Sequence, residues 1–235
     1  MNRRTARITL AALLGLVLLG AVACSPGGDG SSTGSGTDGG LGISAPSLDE
    51  FLDADSKTGD YETHTEWASG DTLDMHGQFW VDGRLFRYDI YDETDTLLRS
   101  VISPDGETAY FVFHDDQVCE PSVASVDYYL MRYAMPEGEG VEDGTDEGTG
   151  ATRVKYVVKK TDDMAGAANP WYSEDVTYLV KDDAVVGVIT RGAVPKDDGS
   201  VGELDVNREL WSNVKAGVTI PADTFELPYP VQDAE

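Results

Sequence analysis

Asp82-Gly83 constrains this chain more than any other dipeptide. It sits between two runs of alternating apolar and polar residues, and a two-residue turn there fixes the register of both strands. Read as a type I′ turn with Asp82 and Gly83 at its centre, it places Val81 opposite Arg84, Phe79 opposite Phe86, Gly77 opposite Tyr88 and Met75 opposite Ile90. One face of the ribbon is then apolar. The other pairs Trp80 with Leu85, Gln78 with Arg87, His76 with Asp89 and Asp74 with Tyr91, and reads as mostly wet. Tyr88 laid over Gly77 would cover backbone that glycine leaves bare.

The rest of the chain extends this pattern. Ser47-Leu48-Asp49-Glu50 matches a capping box, with Leu48, Phe51 and Leu52 forming the apolar stripe of a short helix. Tyr61, Thr63, Thr65 and Trp67 alternate as a half-buried strand. Pro104-Asp105-Gly106 separates strands at 97–103 and 108–113. Val123, Val126, Tyr129, Leu130 and Tyr133 predict a helix after Pro121 that stops before Pro136. Residues 137–150, with six acids and five glycines, read as a loop. A strand at 153–159 follows, then a second tight hairpin around Asp182-Asp183 with Tyr178 opposite Gly187. Strands at 201–210 and 218–227 close the chain. The expected fold class is α+β: a curved antiparallel sheet, an incomplete barrel, with one or two short helices packed on its concave side.

Ahead of this domain, residues 1–23 read as a signal peptide. Arg3, Arg4 and Arg7 precede an apolar run from Ile8 to Ala23 that would rise only about 24 Å as a helix, short of the roughly 30 Å hydrocarbon core. The run ends Leu19-Gly20-Ala21-Val22-Ala23-Cys24, which resembles the lipobox of prokaryotic lipoproteins. That resemblance implies a diacylglyceryl group on Cys24, which becomes the mature N-terminus. Residues 24–45 read as a flexible Gly/Ser linker, and 46–235 as the folded domain. With Cys24 acylated, Cys119 has no partner for an internal disulfide and reads as a small buried hydrophobe.

Processing removes three basic residues, leaving 14 against 43 acids, a net of −29. Phosphate neutralisation needs clustered Lys and Arg, so nucleic acid is excluded as a partner. His64, His76 and His114 show no metal-ligand spacing, and no glycine-rich loop follows a strand as a nucleotide site requires. Gly30 to Gly34 spells G-x-S-x-G without the strand and helix that a nucleophile elbow needs. Neither a catalytic centre nor a cofactor is expected. Glu142, Asp143, Asp146 and Glu147 are the best carboxylates for a calcium ion, but their spacing is not that of a ligand loop, and no metal site is assigned.

The run Val81 to Asp89, then Ser103-Pro104-Asp105-Gly106 with Tyr110 and Phe113, and Ile220 to Pro228 at the end of the chain, resembles the outer-membrane lipoprotein carrier (LolA-like) superfamily. The resemblance implies an incomplete barrel around helices, with a concave apolar surface that takes acyl chains. The family arginine falls nearest Arg87, which the hairpin puts on the polar face. The functional expectation is an extracytoplasmic lipoprotein, anchored to the outer face of the cell membrane through Cys24. It would bind a hydrophobic ligand with Met75, Phe79, Phe86, Tyr88 and Ile90. The alternative is a structural or envelope-sensing lipoprotein that acts by protein contact, those same residues being core.

Overall fold

The computed structural model describes residues 45–122, 124–162, 171–195 and 200–232. The signal peptide, Cys24, most of the linker and Val123 lie outside the described residues. Eleven antiparallel strands form one open sheet. They are β1 (Ser56–Glu66), β2 (Thr72–Asp82), β3 (Leu85–Tyr91), β4 (Leu97–Ser103), β5 (Tyr110–Phe113), β6 (Val118–Pro121), β7 (Val141–Thr145), β8 (Thr152–Asp162), β9 (Trp171–Lys181), β10 (Ala184–Ala193) and β11 (Asp205–Ala216). The spatial order β6-β5-β4-β3-β2-β1-β11-β10-β9-β8-β7 makes two meanders joined along the β1–β11 seam. Helices α1 (Leu48–Asp53) and α2 (Val126–Leu130) lie on the concave side.

Helix α1 starts where the capping box predicts. Glu50 N–H donates to Ser47 Oγ at 3.3 Å and Ser47 N–H to Glu50 Oε2 at 2.9 Å, an arrangement that contributes about 1 kcal/mol. Leu48, Phe51 and Leu52 are buried, with Phe51 against Trp211 at 5.0 Å between ring centres. β1 alternates inward and outward strictly, with Lys57, Gly59, Tyr61 and Thr63 buried.

The first hairpin departs from its predicted register. Its two loop residues are Gly83 and Arg84, so Val81 faces Phe86, Phe79 faces Tyr88, Gly77 faces Ile90 and Trp80 faces Arg87. Gly83 takes φ +59° and Arg84 keeps negative φ, the pattern of a type II′ turn with glycine first. A type I′ turn would have forced Asp82 into the left-handed region. Here Asp82 instead finishes β2 opposite Ser56, and Gly83 N–H reaches Asp55 O at 3.0 Å. The slip is two residues, so no side chain changes face. It does change who covers Gly77. Tyr61 of β1 is its cross-strand neighbour, and a Cβ on Gly77 would run into the Asp89 carbonyl and sit 2.6 Å from the Tyr61 hydroxyl.

The second tight hairpin forms around Asp182-Asp183 as expected, and its turn has the I′ pattern, with Asp182 at φ 51° and Asp183 at φ 65°. A bulge after Val185 then sets Tyr178 opposite Val188 and Gly187 opposite Leu179, so the expected Tyr178–Gly187 pair does not form. Three further expectations are corrected. The segment read as an acidic loop contains β7, whose five residues are all exposed at the sheet edge. The strand expected at 201–210 is β11, shifted to Asp205–Ala216, and 218–227 is not a strand but contains a 3-10 turn over Ala222–Phe225. The short helix expected between Pro121 and Pro136 is only the five residues of α2, extended by turns through Tyr133.

The C-terminal segment crosses the outer face and ends on β6. Cys119 N–H donates to Pro230 O at 3.1 Å, and Gln232 N–H to Cys119 O at 2.8 Å. Leu227 and Tyr229 pack on a small core of Ile102, Val112 and Cys119. The tail thus occupies an edge that would otherwise present unpaired backbone groups.

Candidate functional site

The concave face carries all five residues expected to line a ligand surface, because the period-two pattern that chose them survives the register change. Phe79 and Phe86 are fully covered: Phe79 lies 4.7 Å from Tyr133 and 5.6 Å from Trp211, and Phe86 lies 5.3 Å from Tyr129. These two are core beneath α2. Met75, Tyr88 and Ile90 are half-buried.

Between the covered and half-buried parts lies a polar cluster that the sequence reading missed. Glu209 points inward from β11 with no exposed side-chain surface. Its Oε1 accepts from Tyr88 Oη at 2.9 Å and from Arg132, which follows α2; its Oε2 accepts from Trp211 Nε1 at 3.1 Å. Tyr61 stacks on Tyr88 at 4.2 Å and donates to Asp89 O at 2.8 Å. Tyr133 stacks on Trp211 at 5.7 Å. The Arg132 guanidinium sits over the Tyr88 ring at 6.0 Å.

Burial, and then the Glu209 carboxylate, push the phenols of Tyr61, Tyr88 and Tyr133 well above their ordinary value. Burial opposes the charge on Arg132, but Glu209 and the surrounding tyrosines outweigh it and raise its pKa. The guanidinium stays a cation, and the Tyr61 and Tyr88 phenols stay protonated donors. One signal in the sequence pointed here: in Asn207-Arg208-Glu209-Leu210-Trp211, Glu209 shares the face of Trp211, an inward position where a carboxylate needs a partner.

Away from the patch under the C-terminal segment the outer face is polar, and several of its charges are paired. Arg87 grips Asp89 with Nε–Oδ1 at 2.8 Å and Nη2–Oδ2 at 2.9 Å, and Ser100 Oγ donates to the same carboxylate at 2.6 Å. Arg87 therefore lies on the polar face, as the hairpin implied. His64 meets Asp74 at 2.7 Å and His76 meets Asp95 at 3.1 Å, both exposed. Asp146 is held by Arg208, which drives its carboxyl well below the ordinary range, and Asp143 lies 3.2 Å from Arg153. Two of the four carboxylates weighed for calcium are thus already matched by guanidinium groups. Cys119 is a free, buried thiol whose pKa burial raises.

The class is defined by the open antiparallel sheet with short helices against its concave side. No family model and no curated protein sequence matches the chain. Solved structures similar to it include a DUF1329 family protein from Desulfovibrio piger, at 10% identity over 76% of this chain and 92% of that one, with a TM-score of 0.39. A LolA superfamily protein from Nitrosomonas europaea aligns at 8% identity over 77% and 98%, TM-score 0.37. An outer membrane lipoprotein-sorting protein domain from Vibrio parahaemolyticus aligns at 6% identity over 72% and 88%, TM-score 0.33.

Proposed function

We propose that this chain is a non-catalytic lipoprotein, secreted and tethered through Cys24 to the outer face of the cell membrane, whose concave sheet binds a hydrophobic ligand such as a lipid or a lipoprotein acyl chain. One observation carries the reading. Two helices of six and five residues lie against an eleven-stranded sheet, and the apolar strip that begins under α2 with Phe79 and Phe86 continues to Met75, Tyr88 and Ile90, which stay half-buried. Concave, largely apolar surfaces with a few placed polar groups are where such ligands bind. Covering the exposed part of a side chain such as Ile90 or Met75 contributes on the order of 1 kcal/mol each.

The test is mass spectrometry of lipids extracted from the natively purified full chain, repeated for Ile90→Asp with circular dichroism as the check on folding. Acyl lipid on the parent chain and its loss in the folded variant support the reading. A folded parent chain that carries no lipid and takes up none from vesicles sinks it. The anchor is tested separately: Cys24→Ser should release the protein from the membrane fraction, and continued membrane attachment would refute acylation there.

A further inference from the structure

The C-terminal segment is tied to the outer face by one line of hydrogen bonds, and the acceptors along it fix where each proton lies. Arg87 holds the Asp89 carboxylate and also donates to Thr224 O at 3.4 Å, just ahead of the segment. A carboxylate only accepts, so the single hydroxyl proton of Ser100 lies toward Asp89, at 2.6 Å. The contact between Ser100 Oγ and His114 Nε2 at 3.0 Å must then take its proton from the imidazole. In neutral His114 this leaves Nδ1 bare, and it accepts from the Tyr229 hydroxyl at 3.3 Å, with the two rings edge to face.

The rest of the attachment is slight. Two backbone bonds join Cys119 to Pro230 and Gln232, Leu227 and Tyr229 are half-buried, and Pro228, Pro230 and Val231 are exposed. A chain end held by so few contacts opens ahead of the domain. A second proton on His114 weakens it further. With the segment in place, the new Nδ1–H meets only a Tyr229 oxygen that must turn its own proton away, and the charge is half-buried near Arg87. With the segment gone, water takes that proton and hydrates the charge. Asp89 and Asp115 draw the cation and Arg87 opposes it, but all three belong to the sheet and its turn and stay in both states. What differs is the cover supplied by Tyr229.

We propose that His114 is a proton-operated latch on residues 226–232: acid releases this strap from the outer face and uncovers Ile102, Val112, Cys119 and the β6 edge while the sheet stays folded. The burial of His114 agrees, since it pushes the docked form below the ordinary 6.5. The released form binds the proton more readily, so release gains as pH falls below that value. The gain is at most about tenfold per pH unit and levels off once the docked form is protonated too.

The full chain with Cys24→Ser carries Cys119 as its only thiol. Its reaction with 4,4′-dithiodipyridine is followed from pH 8 to pH 5, and each rate is divided by that of the urea-unfolded chain at the same pH, so the ratio reports exposure and not thiol chemistry. The ratio should rise about threefold or more between about pH 7.5 and 5.5, and should stay level in His114→Gln, which cannot gain the charge. Hydrogen exchange on the parent chain, corrected for its intrinsic pH dependence, reads the same event without a variant. The amides of Cys119 and Gln232 should lose protection over that interval while those of β1 and β2 keep theirs. A level ratio in the parent, an equal rise in folded His114→Gln, or protection lost in β1 and β2 together with Cys119 and Gln232 overturns the latch.

Discussion

Replacing Arg132 by Met should be among the most damaging single changes in the domain, and the cluster geometry says by how much. Glu209 has no exposed side-chain surface and Arg132 only 12%. Removing the guanidinium leaves a buried carboxylate with two neutral donors, Tyr88 Oη and Trp211 Nε1. Breaking one side of a buried pair costs about 3–5 kcal/mol. Glu209→Gln costs a comparable amount, because it leaves the guanidinium buried without its counter-charge. Combining Arg132→Met with Glu209→Gln is different. The amide carbonyl would still accept from Tyr88 and Trp211, no charge remains, and the methionine fills the volume of the arginine stem, so the net cost falls to about 1–2 kcal/mol. A double-mutant cycle should therefore show coupling of at least ~3 kcal/mol. Urea melts followed by tryptophan fluorescence measure it, with Trp211 inside the cluster as a reporter. For a domain of this size each kcal/mol moves Tm by roughly 2–4 °C, so the single variants should melt about 6–20 °C below the parent. Single variants that each cost under ~1 kcal/mol, or costs that simply add in the double variant, would refute the assignment of Arg132 and Glu209 as a desolvated pair.

Other outcomes follow from separate parts of the structure. Gly77→Ala drives a methyl into the Asp89 carbonyl and against the Tyr61 ring, and should cost about 3 kcal/mol or prevent folding, read as a drop in soluble yield and thermal midpoint. An unchanged Tm would show that Tyr61 does not pack there. Burial lowers the His114 pKa below its ordinary 6.5, with Arg87 acting in the same direction against Asp89 and Asp115. The unfolded chain therefore binds more protons than the folded one just below that value, so the His114 contribution is present above pH 6.5 and is lost as pH falls through the folded pKa. His114→Gln should flatten the fall in urea midpoint between about pH 7.5 and 5.5, and an identical slope in the variant removes His114 as its source. Truncation after Glu226 strips Leu227 and Tyr229 from Ile102, Val112 and Cys119. Cys119 should then react with a thiol reagent many times faster than in the full chain, whereas equal rates would mean that the tail does not protect it.

The faces of the sheet were legible in the sequence and its exact pairings were not. Alternation with period two assigns Phe79, Phe86 and Tyr88 to one side whichever even slip the turn selects. Choosing between Asp82-Gly83 and Gly83-Arg84 as the loop depended on β1, since Gly83 N–H bonds to Asp55 and Asp82 pairs with Ser56. No local rule contains that contact. β7 was unreadable for a related reason: at the edge of the sheet with all five residues exposed, it has no inward apolar set to announce it. After residue 200 the expected strand ends differ from the observed ones: β11 continues past Leu210 to Ala216, with Trp211 and Val214 buried beyond Glu209, a charge that interrupts its apolar face, and 218–227 carries a 3-10 turn instead of a strand.

That interruption lies on the seam of the fold. β1 and β11 are far apart in sequence, so their pairing is the one non-local step between two meanders whose other strand pairs are sequence neighbours. The pairs across the seam include Tyr61 with Trp211 and Thr63 with Glu209. Tyr88 from β3 and Arg132 from the turn after α2 reach the same carboxylate. One inward charge thus collects partners from the first meander, the connecting helix and the second meander. An apolar residue at position 209 could pack against the same neighbours in many registers, whereas a carboxylate is satisfied only where Tyr88, Trp211 and Arg132 converge. On this argument Glu209 fixes how β11 meets β1.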